Sequence, residues 1–224
     1  MNYFAHGHQV LNDPYFLAGT AVPDWLSVVD RKVRAHRHRA LPFVSHPNSS
    51  IAALARGIVQ HHHDDAWFHA TDAFNQITWR VTSLCDDALP KDEGYRPSFL
   101  GHILVELLLD AALIDADPPR LARYYASLET IDPATVERAV SEIAGRPAQN
   151  LAWFIDRFRQ VRFLRDYADD LKLIFRLNQV MSRVNLLPLP DSFCTAVRAA
   201  RQVVATHATQ LLDEQGYSDQ RLVG

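Results

Sequence analysis

Cysteine is scarce: the 224-residue chain has 2, Cys85 and Cys194. They form no CxxC unit, which excludes a disulfide-stapled scaffold and a thiolate zinc site and fits free thiols in a reducing compartment. Glycine is sparse too, with 8 residues, and neither GxxxxGK[ST] nor GxGxxG occurs, so no Gly-rich phosphate cradle is expected. No apolar run approaches the ~18 residues a membrane span needs. The strongest, Phe99 to Ile114, is interrupted by His102, Glu106 and Asp110. The opening segment MNYFAHGHQVLNDPYF lacks a basic n-region and an apolar h-region, so a signal peptide is not expected and a cytoplasmic location is. Net charge is small, at -3, and gives no general pull toward nucleic acid or an anionic membrane.

What is present is apolar and helical in pattern. Hydrophobic residues make up 48% and charged ones 22%, enough to build a sizeable core and to argue against disorder. Apolar positions recur at spacings of three and four, and strict alternation is almost absent, which predicts helices. The first runs from Phe16 to Val29 and contains Pro23. A second follows from Ile51 toward Asp65, with Ser49 or Ser50 as cap, and a third from Asp72 to Asp87. Ser98 is placed to cap Phe99 to Ile114. Pro118-Pro119 opens a helix through Leu128, and Asp132-Pro133 pairs an N-cap with proline at the first helical position. Helices are then expected from Leu151 to Tyr167, Leu171 to Leu186, and Asp191 to Gln215, the last stopped by Gly216. Loops are expected at Arg39 to Asn48 and Leu89 to Pro97. The fold class is all-α: one helical-bundle domain over 1–224, its metal site within 1–114 and residues 115–224 as helical support or interface.

Histidine is unevenly spread. Of 11, all but His207 fall within the first 102 residues. In Gln60-His61-His62-His63-Asp64-Asp65-Ala66-Trp67-Phe68-His69, a helix stacks His61, Asp65 and His69 on one face at i, i+4 and i+8. Imidazole and carboxylate one turn apart converge on a divalent ion such as Zn, Mn or Fe. His102, Glu106 and Asp110 repeat the spacing on a helix otherwise built of Leu, Ile and Val. Polar groups there must be paired or bound, because burying them alone costs several kcal/mol. Near the start, His6 and His8 precede Asp24, which stands in an apolar stretch between Pro23 and Trp25.

These segments resemble the acyl carrier protein phosphodiesterase family. MNYFAH at 1–6 is similar to that family's MNFLAHLHL-like opening. Gly19 with Asp24 is similar to its GNLLADF-like segment, and Gly57-Ile58 with His61 and Asp65 to its GIHMHRRID-like segment. The likeness covers His6, His8, Gly19, Asp24, Gly57, Ile58, His61 and Asp65, and sets His102 against the His of a later WDHFL-like segment. It departs where the family has a His and two Arg, here Val59, His62 and His63. The resemblance implies a helical, HD-like, metal-dependent phosphodiesterase. Its divalent ion (Mn, Zn or Fe) would be held by His6, Asp24, His61, Asp65 and His102, with His62, His69 or Glu106 as acid or base. The HxxxD and HxxxE pairs, His61/Asp65 and His102/Glu106, also resemble zinc-dependent phospholipases C and nucleases. A non-enzymatic metal-binding helical scaffold is the third reading.

The stretch from Arg31 to Arg39 holds five permanent cations: Arg31, Lys32, Arg34, Arg37 and Arg39. It is a candidate dock for an acidic carrier protein or a phosphate group, or else a solvated linker. It has no interleaved aromatics of the kind a single-strand nucleic-acid binder uses.

Overall fold

The computed structural model describes residues 1–91 and 93–212. Regular structure among them is helical throughout, with no strand, so the all-α expectation holds. In chain order the helices are α1 (Tyr3–Gly7), α2 (Pro14–Val29), α3 (Arg37–Ala40), α4 (Ser49–Ala70), α5 (Asp72–Ala88) and α6 (Pro97–Ala116). They continue with α7 (Pro118–Glu129), α8 (Pro133–Ala144), α9 (Leu151–Val161), α10 (Asp170–Arg183), α11 (Cys194–Thr206) and α12 (Ala208–Leu211). None is long and apolar enough to cross a membrane. The described residues form two compact units. One comprises Met1–Trp67 with Asp117–Arg162, the other Phe68–Ala116 with residues 163–212.

Most helix starts follow from short side chains and prolines. Asp13 caps α2 by accepting from the Phe16 N–H, with Pro14 at the first helical position. Asp132 and Pro133 do the same for α8, which ends at Gly145 in the left-handed region, φ 66°. Two caps differ from expectation. Asn48, not Ser49 or Ser50, caps α4, its Oδ1 accepting from the N–H groups of Ser50 at 3.0 Å and Ile51 at 3.3 Å. In α6, Pro97 takes the first turn ahead of Ser98, and the Arg96 carbonyl already accepts from Leu100.

The C-terminal helices are shorter than their apolar period suggests. α9 stops at Val161 because Arg162 is left-handed, φ 50°. Its guanidinium is held by Glu129 and stands 5.7 Å over the Tyr125 ring, so tertiary contacts override the local period. Phe163–Ala168 continues as a 3-10 turn, and α10 starts at Asp170 under an Asp169 cap. A 3-10 turn at Asp191–Phe193 precedes α11, which breaks at His207. The expected stop at Gly216 lies outside the described residues. The loop expected at Arg39 to Asn48 contains α3 and a 3-10 turn, Leu41–Phe43.

The first unit is organised by a close crossing of α2 and α4. A Cβ on Gly19 would lie 2.2 Å from the Leu54 carbonyl oxygen, and one on Gly57 2.1 Å from that of Phe16. Backbone, not side chain, fills this contact. Beside it Phe4, Trp25, Tyr124, Tyr125 and Phe158 form a buried aromatic cluster, ring centroids 5.5–5.7 Å apart. In the second unit α5 and α6 meet where Gly101 faces Thr82, and Val81, Cys85, Leu104 and Leu108 line a buried interior.

Gly57→Ala is expected to lower stability by about 1–3 kcal/mol, the cost of overpacking a filled contact, read from urea denaturation midpoints. A wild-type midpoint would show that the crossing has slack.

Candidate metal centre

Three residues from two helices of the first unit meet, His6 of α1 and His61 and Asp65 of α4, and Asp24 of α2 lies close enough to feel the charge of all three. His6, His61 and Asp65 each offer one ligand atom, all within 4.8 Å of one another. His6 Nε2 is 3.2 Å from Asp65 Oδ1, and His61 Nε2 is 3.3 Å from Oδ2. The two imidazoles stack with centroids 4.1 Å apart. Both histidines are buried, at 1% and 3% exposure.

The far side of each ring fixes its orientation. His61 Nδ1 donates to the Thr20 carbonyl at 2.8 Å. That carbonyl lies in the same turn of α2 as Pro23, whose missing N–H leaves the neighbouring Gly19 carbonyl without its helical donor. His6 Nδ1 donates to Asp64 Oδ2 at 3.2 Å, and Gln60 Nε2 secures the other oxygen of Asp64 at 2.6 Å. With Nδ1 holding the proton, a neutral His61 turns its Nε2 lone pair toward a carboxylate oxygen. Two acceptors at 3.3 Å repel unless a cation lies between them. Imidazoles locked through one nitrogen by a carbonyl or carboxylate, with the other aimed at a common point, match the outer-shell arrangement of metal-ligating histidines.

An unsatisfied atom points to the same place. Asp24 Oδ2 is shielded from solvent and finds no hydrogen-bond partner among the described residues, and His6 Nε2, equally shielded, has only its 3.2 Å approach to Asp65 Oδ1. An unsatisfied buried acceptor costs about 1–3 kcal/mol, and a cation beside it would satisfy it. The Met1 α-amino group reaches Asp65 Oδ1 at 2.7 Å, so this carboxylate already draws positive charge.

Proton affinities follow the same field. Burial alone would lower the His6 pKa, but the hydrogen bond it donates to Asp64 and the nearby Asp65 carboxylate outweigh it and raise the value to about 9. Burial likewise opposes ionisation of Asp65, yet His6, His61 and the α-amino group hold its pKa well below the usual carboxylate range. Asp24 moves the other way: burial raises its pKa against the pull of His61 and His6.

The remaining candidates have other partners. His102 is grouped with His69 and Glu106 in the second unit. His62 donates from Nε2 to the Ala35 carbonyl at 2.7 Å, and burial pushes its pKa down. That nitrogen is thus engaged in holding backbone. His8 faces the carbonyls of Phe4 and Ala5 at the end of α1, and Asp110 is fully buried outside either group. Sequence reasoning passed over Asp64 and Gln60. Their i, i+4 relation on α4 was the available signal.

Comparison with protein-family models, curated proteins and solved structures gave no match.

Metal must displace the proton that His6 holds at neutral pH. Binding at pH 7 is therefore expected to release close to one proton per ion from His6, and affinity to climb about tenfold per pH unit toward pH 9. Calorimetry in buffers of different ionisation enthalpy checks this, and binding without proton release would contradict it. In the metal-free chain the raised pKa stabilises the fold fully below pH ~6.5, and this contribution fades as pH rises through about 9.

Proposed function

We propose that the chain is a divalent-metal-dependent phosphodiester hydrolase whose ion is held by His6, His61 and Asp65, with Asp24 as a further donor. The observation that carries this reading is the pair of Nε2 atoms and the Asp65 carboxylate converging within 4.8 Å, while Nδ1 of each histidine is held by Asp64 or Thr20. Two imidazoles and carboxylates suit Zn, Mn or Fe(II) better than Mg or Ca. Bound there, a divalent ion supplies Lewis acidity that polarises a phosphoryl oxygen and eases deprotonation of water.

The chain's own residues supply position and charge. Asp64 and the Thr20 carbonyl hold the two rings so that little reorganisation accompanies binding. Asp65 and Asp24 provide the negative charge that retains the ion. Next to His61, the His62 ring ties down Ala35, and buried Val33 and Ala35 anchor the basic segment beside this helix. Arg34 and Arg37 remain exposed and offer an anionic substrate two cations. Resemblance of the segments around His6, Asp24 and His61 to acyl carrier protein phosphodiesterases favours a phosphodiester on an acidic carrier, and an HD-like helical scaffold. A cytoplasmic setting accords with the two free cysteines.

His61→Ala and Asp65→Ala are each expected to abolish metal retention and to lower chelator-sensitive hydrolysis of bis(p-nitrophenyl) phosphate by roughly 100-fold or more, as for removal of a ligand to the catalytic ion, with helical circular dichroism retained. Full metal occupancy in both variants would sink the site; occupancy without turnover in the wild type would favour a non-catalytic metal protein. Separately, the Arg34→Glu, Arg37→Glu double variant should raise KM for an anionic carrier several-fold at low salt, an effect that shrinks as ionic strength rises. A KM indifferent to both would remove the docking role.

A further inference from the structure

The second unit holds a cluster with ligand chemistry of its own. His69 lies in the last turn of α4, and His102 and Glu106 stand one turn apart on α6. Both imidazoles converge on a single oxygen: Glu106 Oε1 is 2.9 Å from His69 Nε2 and 3.2 Å from His102 Nε2. The three ligand atoms lie within 4.8 Å of one another. Phe74 stands edge-on to both rings, at 4.9 Å from His69 and 5.1 Å from His102, and so walls one side. The other side reaches solvent, since the His69 and His102 side chains are 33% and 43% exposed and that of Glu106 18%.

A simple surface ion pair does not account for this arrangement. Such a pair is worth about 0–1 kcal/mol, and one histidine would suffice to make it. Two rings with centroids 4.8 Å apart on one carboxylate oxygen repel each other when both are charged. A metal ion turns the same geometry into a favourable one. With Zn–N and Zn–O bonds of about 2.0–2.2 Å, neighbouring ligand atoms of a tetrahedron stand about 3.4 Å apart. The observed 2.9 and 3.2 Å separations reach that with shifts of a few tenths of an ångström. Two imidazoles and one carboxylate form a three-ligand set that leaves a coordination position free, and here the free side faces water.

We propose that His69, His102 and Glu106 form a second divalent-cation site, selective for Zn-type ions over Mg and Ca, and open to exchange with solvent. It needs no part of the hydrolase reading. His69 and Glu106 then act as ligands in this site, and the ion, not a proton, is what they share.

The test is metal stoichiometry of the tag-free, chelator-stripped full chain after equilibrium dialysis against Zn, with Co(II) absorption as a second readout of ligand geometry. The wild type should hold two ions. His102→Ala and the shape-conserving Glu106→Gln should each hold one, with the Co(II) bands of that site absent and far-ultraviolet circular dichroism unchanged. Because the His102 side chain is 43% exposed, its truncation leaves the core largely intact. Wild-type stoichiometry in both variants overturns the proposal, as does a wild type with one ion that Asp65→Asn alone removes. If Asp65→Asn leaves the count unchanged while His102→Ala lowers it, this site stands and the first centre fails.

Discussion

Where α2 crosses α4, Gly19 and Gly57 leave no space for a Cβ, with carbonyl oxygens 2.2 and 2.1 Å from where one would sit. That approach sets the distance on which the first centre is built. It brings the Thr20 carbonyl within 2.8 Å of His61 Nδ1 and turns Asp24, one helical turn beyond Thr20, toward the same pair of histidines. Glycine here acts through the side chain it lacks. Larger residues would hold the helices apart, and the hydrogen bond from His61 to Thr20 would be the first to break.

The second constraint is the cost of taking charge out of water. His6, Gln60, His61 and Asp64 are all buried, and each needs a partner to be tolerated there. Gln60, Asp64 and His6 form a chain of hydrogen bonds that satisfies its own members up to His6 Nε2. The chain ends at that atom, which faces Asp65 Oδ1 at 3.2 Å, and Asp24 Oδ2 is left unsatisfied. A buried polar network that ends on an unsatisfied acceptor is better explained by a binding function than by stability. A core selected for stability alone would replace these groups with apolar ones at little cost.

Much of this was legible in the residues themselves. The apolar period and the Asp-Pro signal placed the helices, and i, i+4 spacing put His61 and Asp65 on one face. Three things were not legible. Arg162 ends α9 because Glu129 and Tyr125, far off in sequence, hold its side chain, and no local pattern encodes that. Asn48 outcompetes two adjacent serines as a cap, although all three are good cap residues. The division of the histidines into two groups depends on how α6 is packed, which periodicity leaves undetermined. Spacing marked His102 as a ligand type but not which partners it meets.

Exposure and orientation separate what the two groups are able to do. Around His6 and His61, buried rings locked through Nδ1 pre-pay the ordering cost of binding, and low dielectric strengthens every charge interaction. An ion bound there would exchange slowly. Around His69 and His102, no outer partner for Nδ1 exists among the described residues, and solvent reaches the rings. Water screens the ligand charges, and binding must also order the side chains. The same donor types would therefore hold an ion more tightly in the first unit than in the second. That difference follows from burial and from the locking of the rings, without any change in ligand identity.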